Sequence, residues 1–443
     1  VVPLVVVGEL AGWRRTHFAR EVTPSLDGQG VTVFGWVGSV RRQGGITFLL
    51  LYDRTGELQV AVRRGAVPEP VVRVVEEVRE HSSLGVRGVV RAIDKAPRGA
   101  EVVPEEVRVL SVPERQPPFK LFARRLPRID KRLEVRAIDL RRPRARAIFQ
   151  VRAEVLKAVR DFLDREGFLE VNTPKIIASA TEGGAALFPL LYYDKEAFLT
   201  QSPQLFKEQL VMPFERVYEI GPAFRAEPSR TLEHISEFVS IDIEAAYLDY
   251  QGVMEVLDRL VHHVVNWVEE RCQEELGLLE VDLDRVDGEF PRYTYEEVLE
   301  LLRRKGLAIE WGEDLSSQAL DLLGGELAGY YFITDWPTQA KPFYIAPRQD
   351  RPELSESFDF MKGGVELASG GTRISSKARL VERLEAQGLN PKSFEFHLRV
   401  FDYGMPPHAG WGLGLERFLM ALLKVNNIRE VTLYPRDQYH LTP

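Results

Sequence analysis

The sequence predicts a multidomain α+β protein, with a small β-barrel first, then a basic join, then a larger domain built on a largely antiparallel sheet. Three observations carry this. Residues 1–112 read as five short strand patterns separated by turn signals. Residues 113–146 break that pattern with a run rich in proline, arginine and lysine. From 147 onward, helix-period and strand-period runs mix without regular strand-helix-strand alternation, which argues against a parallel, doubly wound sheet.

The barrel elements are VTVFGWVGSV, then ITFLLLYDRTGELQVAV folded back at its DRTG turn, a helix over VPEPVVRVVEEVREH, then SLGVRGVVRAI and EVVPEEVRVLSV. Five strands with one intervening helix fit the oligonucleotide-binding barrel (OB-fold), which displays bases on one face; a small barrel with an unrelated ligand reads the same way. Phe48, inside ITFLLL, reads as core from its own context. The join at 113–146, with 12 Lys+Arg against 4 Asp+Glu, is either a solvated linker or a hinge that touches phosphate. In 147–443, helical periodicity covers 151–168 and 250–276, with shorter runs at 295–305 and 377–387. Strands read as FERVYEIG, SEFVSIDIEAAY, YYFITDW and FDFMKGGVELASGG.

Net charge is −8, unevenly spread: residues 1–146 hold 27 Lys+Arg against 17 Asp+Glu, leaving 31 against 49 of the chain's 58 and 66. A basic front on an acidic protein suits a polyanion engaged mainly at one end, although such asymmetry also arises by chance. The single cysteine, Cys272, excludes a disulfide framework and a thiolate zinc site. The eight histidines show no metal-ligand spacing beyond His262-His263, which reads as a helix surface. No run approaches the roughly 20 apolar residues of a membrane span. VVPLVVVGEL lacks a basic leader and a cleavage site, so cytoplasmic localisation with no membrane partner is expected.

Two stretches concentrate chemistry. In 214–247, two strand patterns flank a long loop carrying Arg225, Glu227, Arg230, Glu233, His234, Glu237, Asp242 and Glu244. An arginine at a strand end offers a fork of donors for phosphate oxygens and Phe238 a flat face for a purine, which ATP would suit. A solvated charged hairpin with Phe238 in the core has the same pattern. Near the C-terminus, Gly410, Gly412 and Gly414 alternate with Trp411, Leu413 and Leu415 and run into a helix, as in a strand approached closely by a ligand or another backbone.

Together these stretches resemble the class II aminoacyl-tRNA synthetases. Phe224 to Glu227, FRAE, resembles motif 2; GLGLER from Gly412 to Arg417 resembles motif 3; Pro174 in FLEVNTP stands for the motif 1 proline. Further matches point to class IIb, the aspartate/asparagine/lysine subclass, and within it to the aspartyl-tRNA synthetases of the archaeal and eukaryotic type. The resemblance implies a class II catalytic domain at 147–443, an anticodon-binding OB-fold at 1–112, and a homodimer. It also implies ATP-dependent activation of L-aspartate to the adenylate, followed by transfer to tRNA(Asp). Such a reaction needs in-line positioning and neutralised phosphate charge rather than a covalent enzyme nucleophile.

Carried over by position, Arg225 is implied at the α-phosphate, and Phe238 and Arg417 on either face of adenine. Glu227 is implied at the adenine amino group and His234 near the outer phosphates. Glu366 and Ser369 in VELASGGTR match the family's Mg²⁺ ligands, although Glu366 alone reads as a strand-edge carboxylate. TEGGAALF resembles the loop that closes over the amino acid, with Glu182 toward the α-amino group. QSPQLFK marks aspartate rather than asparagine enzymes: Lys207 and Arg373 face the substrate side-chain carboxylate, Gln204 the α-amino end, and Asp242 holds the cations, though a buried ion-pair network with no ligand has the same spacing. On the barrel, Arg41, Gln43, Phe48 and Gln59 stand at the anticodon positions, where Phe48 would stack a base and the glutamines would read base edges.

The chain departs from the family pattern at Glu233 and His440, each in place of an arginine, and at Ala186 in place of a polar residue. Gly38 follows GWV where strict anticodon readers often carry a bulky residue. Relaxed recognition of tRNA(Asp) and tRNA(Asn), with a tRNA-dependent amidotransferase as partner, is therefore expected.

Overall fold

The computed structural model describes residues 8–123, 125–178, 187–226 and 231–442. The chain divides into two compact units, Val1–Pro127 and Arg128–Pro443.

In the first unit, strands β1 (Gly30–Gln43), β2 (Ile46–Tyr52), β3 (Glu57–Arg63), β4 (Ser83–Ala92) and β5 (Ala100–Ser111) close into a barrel in the order β1-β2-β3-β5-β4. Helix α1 (Glu69–Glu77) buries Val71, Val72 and Val75 against it. Period-2 alternation decides which side chains fill it. Leu49, Leu51, Leu58, Val60 and Val62 point into the core, which turns Phe48, Leu50, Tyr52, Gln59 and Ala61 outward.

In the second unit the basic join is shorter than its composition suggests. Helices α2 (Ile129–Leu133) and α3 (Arg136–Asp139) and the start of α4 (Pro143–Arg165) lie within residues 113–146 and belong to the larger unit. Asp139, fully buried, receives Arg132 at 3.2 Å, Arg136 at 2.7 Å and Arg142 at 2.7 Å. Those three arginines are committed to a buried carboxylate, so they are not free for nucleic-acid phosphate, a correction to the hinge reading of this run.

Beyond α4 come β6 (Leu169–Glu170), β7 (Ile176–Ile177), β8 (Pro189–Tyr192), β9 (Lys195–Leu199) and α5 (Gln204–Phe214). The hairpin of β10 (Arg216–Phe224) and β11 (Glu237–Ala246) follows, then α6 (Tyr250–Arg271) and α7 (Gln273–Leu279). Next are β12 (Arg292–Thr294), α8 (Tyr295–Arg304), α9 (Ser317–Glu326), β13 (Tyr330–Thr334), β14 (Ser357–Lys362) and β15 (Val365–Thr372). The chain ends through α10 (Lys377–Ala386), α11 (Glu395–Leu398), β16 (His408–Gly414) and α12 (Leu415–Leu423). The single helix expected over 250–276 is broken at Cys272, whose backbone leaves helical geometry between α6 and α7.

Eight strands form one sheet in the order β12-β13-β14-β15-β16-β11-β10-β6, antiparallel except at the β12-β13 and β10-β6 pairs. Its alternation sorts core from site. Ile241, Ile243, Trp411 and Leu413 pack with α4, α6 and α12, while Phe238, Ser240, Asp242, Gly412 and Gly414 line a cavity on the other face. The glycines of β16 are required by neighbouring carboxylates: a Cβ at Gly412 would lie 2.9 Å from Asp242 Oδ1, and one at Gly410 2.2 Å from Glu244 Oε2.

Candidate active site

The cavity of about 290 Å³ is lined from β11, β15, β16, α12, the N-terminus of α5 and the loop between β13 and β14. Of the sequence-predicted residues, it gathers Gln204, Arg225, His234, Phe238, Asp242, Glu366, Ser369, Arg373 and Arg417. Glu182 and Glu227 lie outside the described residues. Lys207 is set behind this wall rather than on it.

At one end, α5 presents Gln204, Lys207 and Glu208 on successive turns of one helix face. The Lys207 ammonium sits 2.9 Å from Asp242 Oδ1 and 3.1 Å from the Trp411 carbonyl. Arg373 donates through Nε to Glu244 Oε1 at 3.0 Å and through Nη2 to Glu244 Oε2 at 3.3 Å. Glu244, fully buried, is also 3.6 Å from Lys207. It was visible in the sequence only as one more charge on the hairpin. Burial works against the Arg373 guanidinium, but Glu244 overrides it and holds its pKa above the ordinary value. Two acceptors on the wall, Asp242 Oδ2 and Gln201 Oε1, are buried and have no hydrogen-bond partner among the described residues. Such atoms suit a donor-rich ligand group such as an ammonium.

Behind this end, Gln204 Nε2 donates to Glu208 Oε1 at 2.7 Å while its Oε1 accepts from Arg373 Nη2 at 3.4 Å, so the amide has one orientation. Burial would raise the Glu208 carboxyl, yet the His397 and His408 imidazoles, 3.5 and 3.4 Å from its Oε2, outweigh it and hold it well below the usual carboxylate range. Burial depresses His408 in turn, and Glu208 more than compensates, leaving its pKa raised.

At the other end, the Arg225 guanidinium lies 5.3 Å from the Phe238 ring centroid. Arg417 donates to His234 Nε2 at 2.9 Å and to the Glu366 and Glu233 carbonyls at 3.2 and 3.4 Å. Glu416, next to it in motif 3, is buried: its Oε2 accepts the Val239 N–H at 2.9 Å, and Oε1 pairs with Arg152 at 3.2 Å. Burial keeps its pKa raised all the same.

Glu366 opens to the cavity but is ringed by protein, so desolvation and the nearby Asp359 push its carboxyl pKa up against Arg417, Lys341 and Arg225. Asp359 stands opposite Ser369 in the β14-β15 register. Its two oxygens each accept from Lys341 Nζ at 2.8 Å, and Lys341 also lies 4.4 Å over the Trp336 ring. Sequence reasoning missed Lys341 and Asp359, because the first stands in an aperiodic loop and the second reads as an ordinary strand residue.

On the barrel, Arg41 pairs with Phe48 across β1 and β2, and Phe48 with Ala61 across β2 and β3, so Phe48 sits on the outer face beside an exposed arginine. Its core reading is corrected. Gln43, exposed, ends the same strand. Gln59 is outward but buried, its amide donating to Glu101 at 2.7 Å, so reading a base would require releasing that partner. Gly38 marks an irregularity in the β1-β2 register, and a Cβ there would lie 2.1 Å from the Tyr52 ring. Tyr52 is stacked on Phe122 with centroids 4.4 Å apart.

On the open face of this antiparallel sheet the cavity brings together arginines, a lysine and several carboxylates. Residues 128–438 match the family described as tRNA synthetases class II (D, K and N), and the chain belongs to it. Residues 31–110 match the OB-fold nucleic acid binding domain. The chain is 50% identical over 427 residues to the Aspartate--tRNA(Asp/Asn) ligase of Archaeoglobus fulgidus, covering 96% of this chain and 99% of that one. It is 45% identical over 440 residues to the protein of the same name from Methanothermobacter thermautotrophicus, covering 99% and 100%. Among solved structures it is similar to asparaginyl-tRNA synthetase from Pyrococcus horikoshii complexed with asparaginyl-adenylate, with TM-score 0.93, 34% identity and coverage of 97% and 100%. It is also similar to aspartyl tRNA synthetase from Entamoeba histolytica, with TM-score 0.86, 29% identity and coverage of 98% and 93%. Members of the family use ATP.

Proposed function

We propose that this chain is an aspartate-tRNA ligase that activates L-aspartate with ATP and charges both tRNA(Asp) and tRNA(Asn). The observation that carries the amino-acid choice is the pair Lys207 and Arg373, locked on Asp242 and Glu244 at one end of the cavity. A substrate carboxylate there meets the donor-only guanidinium of Arg373 with Lys207 behind it, whereas an amide would turn its own donors toward donors. The substrate ammonium faces the unpartnered Asp242 Oδ2 and Gln201 Oε1, with Gln204 fixed beside them.

Adenine stacks on Phe238 and the guanidinium plane of Arg417, and Arg225 leaves the Phe238 face to take the α-phosphate. The aspartate carboxylate then attacks the α-phosphorus in line and pyrophosphate leaves, with Arg225 neutralising the developing charge. Mg²⁺ fits the opposite wall: Glu366 and Ser369 offer hard oxygen donors toward the cavity, and Asp359 stands next to them. When bound, that ion would be held by Glu366 and Ser369 and would neutralise phosphate charge. Lys341 stands as a fixed cation on the same wall.

The barrel's Arg41, Gln43 and Phe48 take the anticodon, and the small residue at 38 admits either tRNA. Charging of tRNA(Asn) with aspartate calls for a tRNA-dependent amidotransferase as partner. The reading extends to a homodimer in the cytoplasm. Among the described residues, no helix is long and apolar enough to cross a membrane.

The likeness to the Pyrococcus horikoshii enzyme favours one second reading, asparagine as the activated amino acid. ATP–pyrophosphate exchange measured with aspartate and with asparagine tests both: the proposal requires exchange with aspartate, and exchange with asparagine alone would replace it.

A further inference from the structure

We infer that Thr231 is a positioning residue for the adenine end of the cavity, acting through His234 on Arg417 and held in place by the C-terminal Arg429–Asp437 pair. The inference rests on the reading of this cavity as an ATP site.

A guanidinium only donates, so the 2.9 Å contact from Arg417 Nη2 requires a lone pair on His234 Nε2. The ring proton then sits on Nδ1, which hydrogen-bonds to Thr231 Oγ1. That oxygen also accepts the Glu233 backbone N–H at 3.3 Å. The hydroxyl thus accepts from the histidine tautomer that Arg417 requires, holds the ring in that orientation, and ties down the backbone between them. His234 and the carbonyls of Glu233 and Glu366 are the acceptors that fix the guanidinium plane. Because Glu233 serves through its carbonyl, the side chain at 233 is not part of this arrangement.

Thr231 is exposed and needs an external anchor. Arg429, buried, donates through Nη1 to the Thr231 carbonyl at 3.1 Å and through Nε and Nη2 to Asp437 Oδ2 at 2.9 and 2.6 Å. Asp437 Oδ1 gathers the backbone N–H groups of Tyr439 and His440 at 2.9 and 3.0 Å, and His440 Nδ1 at 2.8 Å. His440, an expected arginine in the family pattern, still anchors this turn. The two segments are also laced by their main chains: Ile428 N–H donates to the Leu232 carbonyl at 2.8 Å and Ser236 N–H to the Arg436 carbonyl at 2.7 Å.

Thr231→Val removes the acceptor while keeping the β-branched shape at an exposed position, and Thr231→Ser restores the hydroxyl. ATP binding by titration calorimetry on the full chain tests the relay. Thr231→Val is expected to weaken ATP binding about three- to tenfold, the effect of losing one orienting hydrogen bond. Thr231→Ser should bind within about twofold of wild type, and both variants should melt at the wild-type temperature. Thr231→Val binding ATP as tightly as wild type, or Thr231→Ser failing to restore it, would overturn the relay alone. Wild type that binds no ATP would overturn the nucleotide reading and the relay with it.

Discussion

Replacing Arg373 by Met removes one charge from a wall on which Lys207 and Arg373 balance Asp242 and Glu244. The four groups sum to zero in the intact site, and to −1 in the variant. A unit charge about 5 Å from a substrate carboxylate, at an effective dielectric of about 20, is worth about 3 kcal/mol, which corresponds to roughly a hundredfold in aspartate affinity. Loss of the donors to the substrate carboxylate adds to this, while ATP meets other residues and should keep its KM. Stability falls as well, because Glu244 is fully buried and loses its hydrogen-bonded cation, leaving Lys207 at 3.6 Å; breaking such a pair costs about 3–5 kcal/mol. The double variant Arg373→Met/Glu244→Gln returns the wall to neutrality and should recover part of that stability without recovering use of aspartate. Thermal melting and aspartate-dependent ATP–pyrophosphate exchange on the wild type and both variants separate the effects. If the double variant regains wild-type exchange, Arg373 serves only as the partner of Glu244 and the reasoning fails.

Three further outcomes are expected. The raised pKa of His408 gives stability that is complete below the unfolded value of 6.5 and is lost as pH rises through the folded value. The depressed pKa of Glu208 gives stability that is present above its unfolded value of 4.5 and is lost in acid. Melting temperature followed against pH should therefore show both slopes in wild type and shallower ones in Glu208→Gln, where the other depressed carboxylates and Glu244 beside His408 remain; unchanged slopes in the variant would place them elsewhere. Glu366→Gln should abolish exchange at any Mg²⁺ concentration, and full activity restored by excess Mg²⁺ would show that the carboxylate is dispensable. Gly38→Trp must push Tyr52 off Phe122, since even a Cβ lies 2.1 Å from its ring; it should cost about 1–3 kcal/mol in stability and reduce charging of tRNA(Asn) more than of tRNA(Asp).

The parts of the site legible in the sequence are those written in strand alternation. Along β11, Ile241 and Ile243 go to the core while Asp242 and Glu244 go to the other face, and the period-2 pattern states as much. The glycines of β16 were read as marking a close approach, and what approaches is the pair of carboxylates on β11. Helix α5 was hidden, although its motif was noticed, because Pro203 caps it and Pro213 interrupts its last turn, leaving little helical period to see. The cluster around Asp139 read as linker because composition cannot show that three arginines converge on one buried acid. Lys341 with Asp359, and Glu208 with His408, are pairings that only tertiary packing creates. Phe48 reads as core from its apolar neighbours alone, and only the resemblance set it on the outer face, because in a barrel wall the residues flanking a core position face outward.

The most direct test of the account is charging of purified tRNA(Asp) and tRNA(Asn) transcripts with labelled aspartate by the full chain. Aspartate attached to both is the predicted result. Failure to charge tRNA(Asp) with aspartate would contradict the central claim, and charging of tRNA(Asp) alone would remove the relaxed recognition assigned to Gly38.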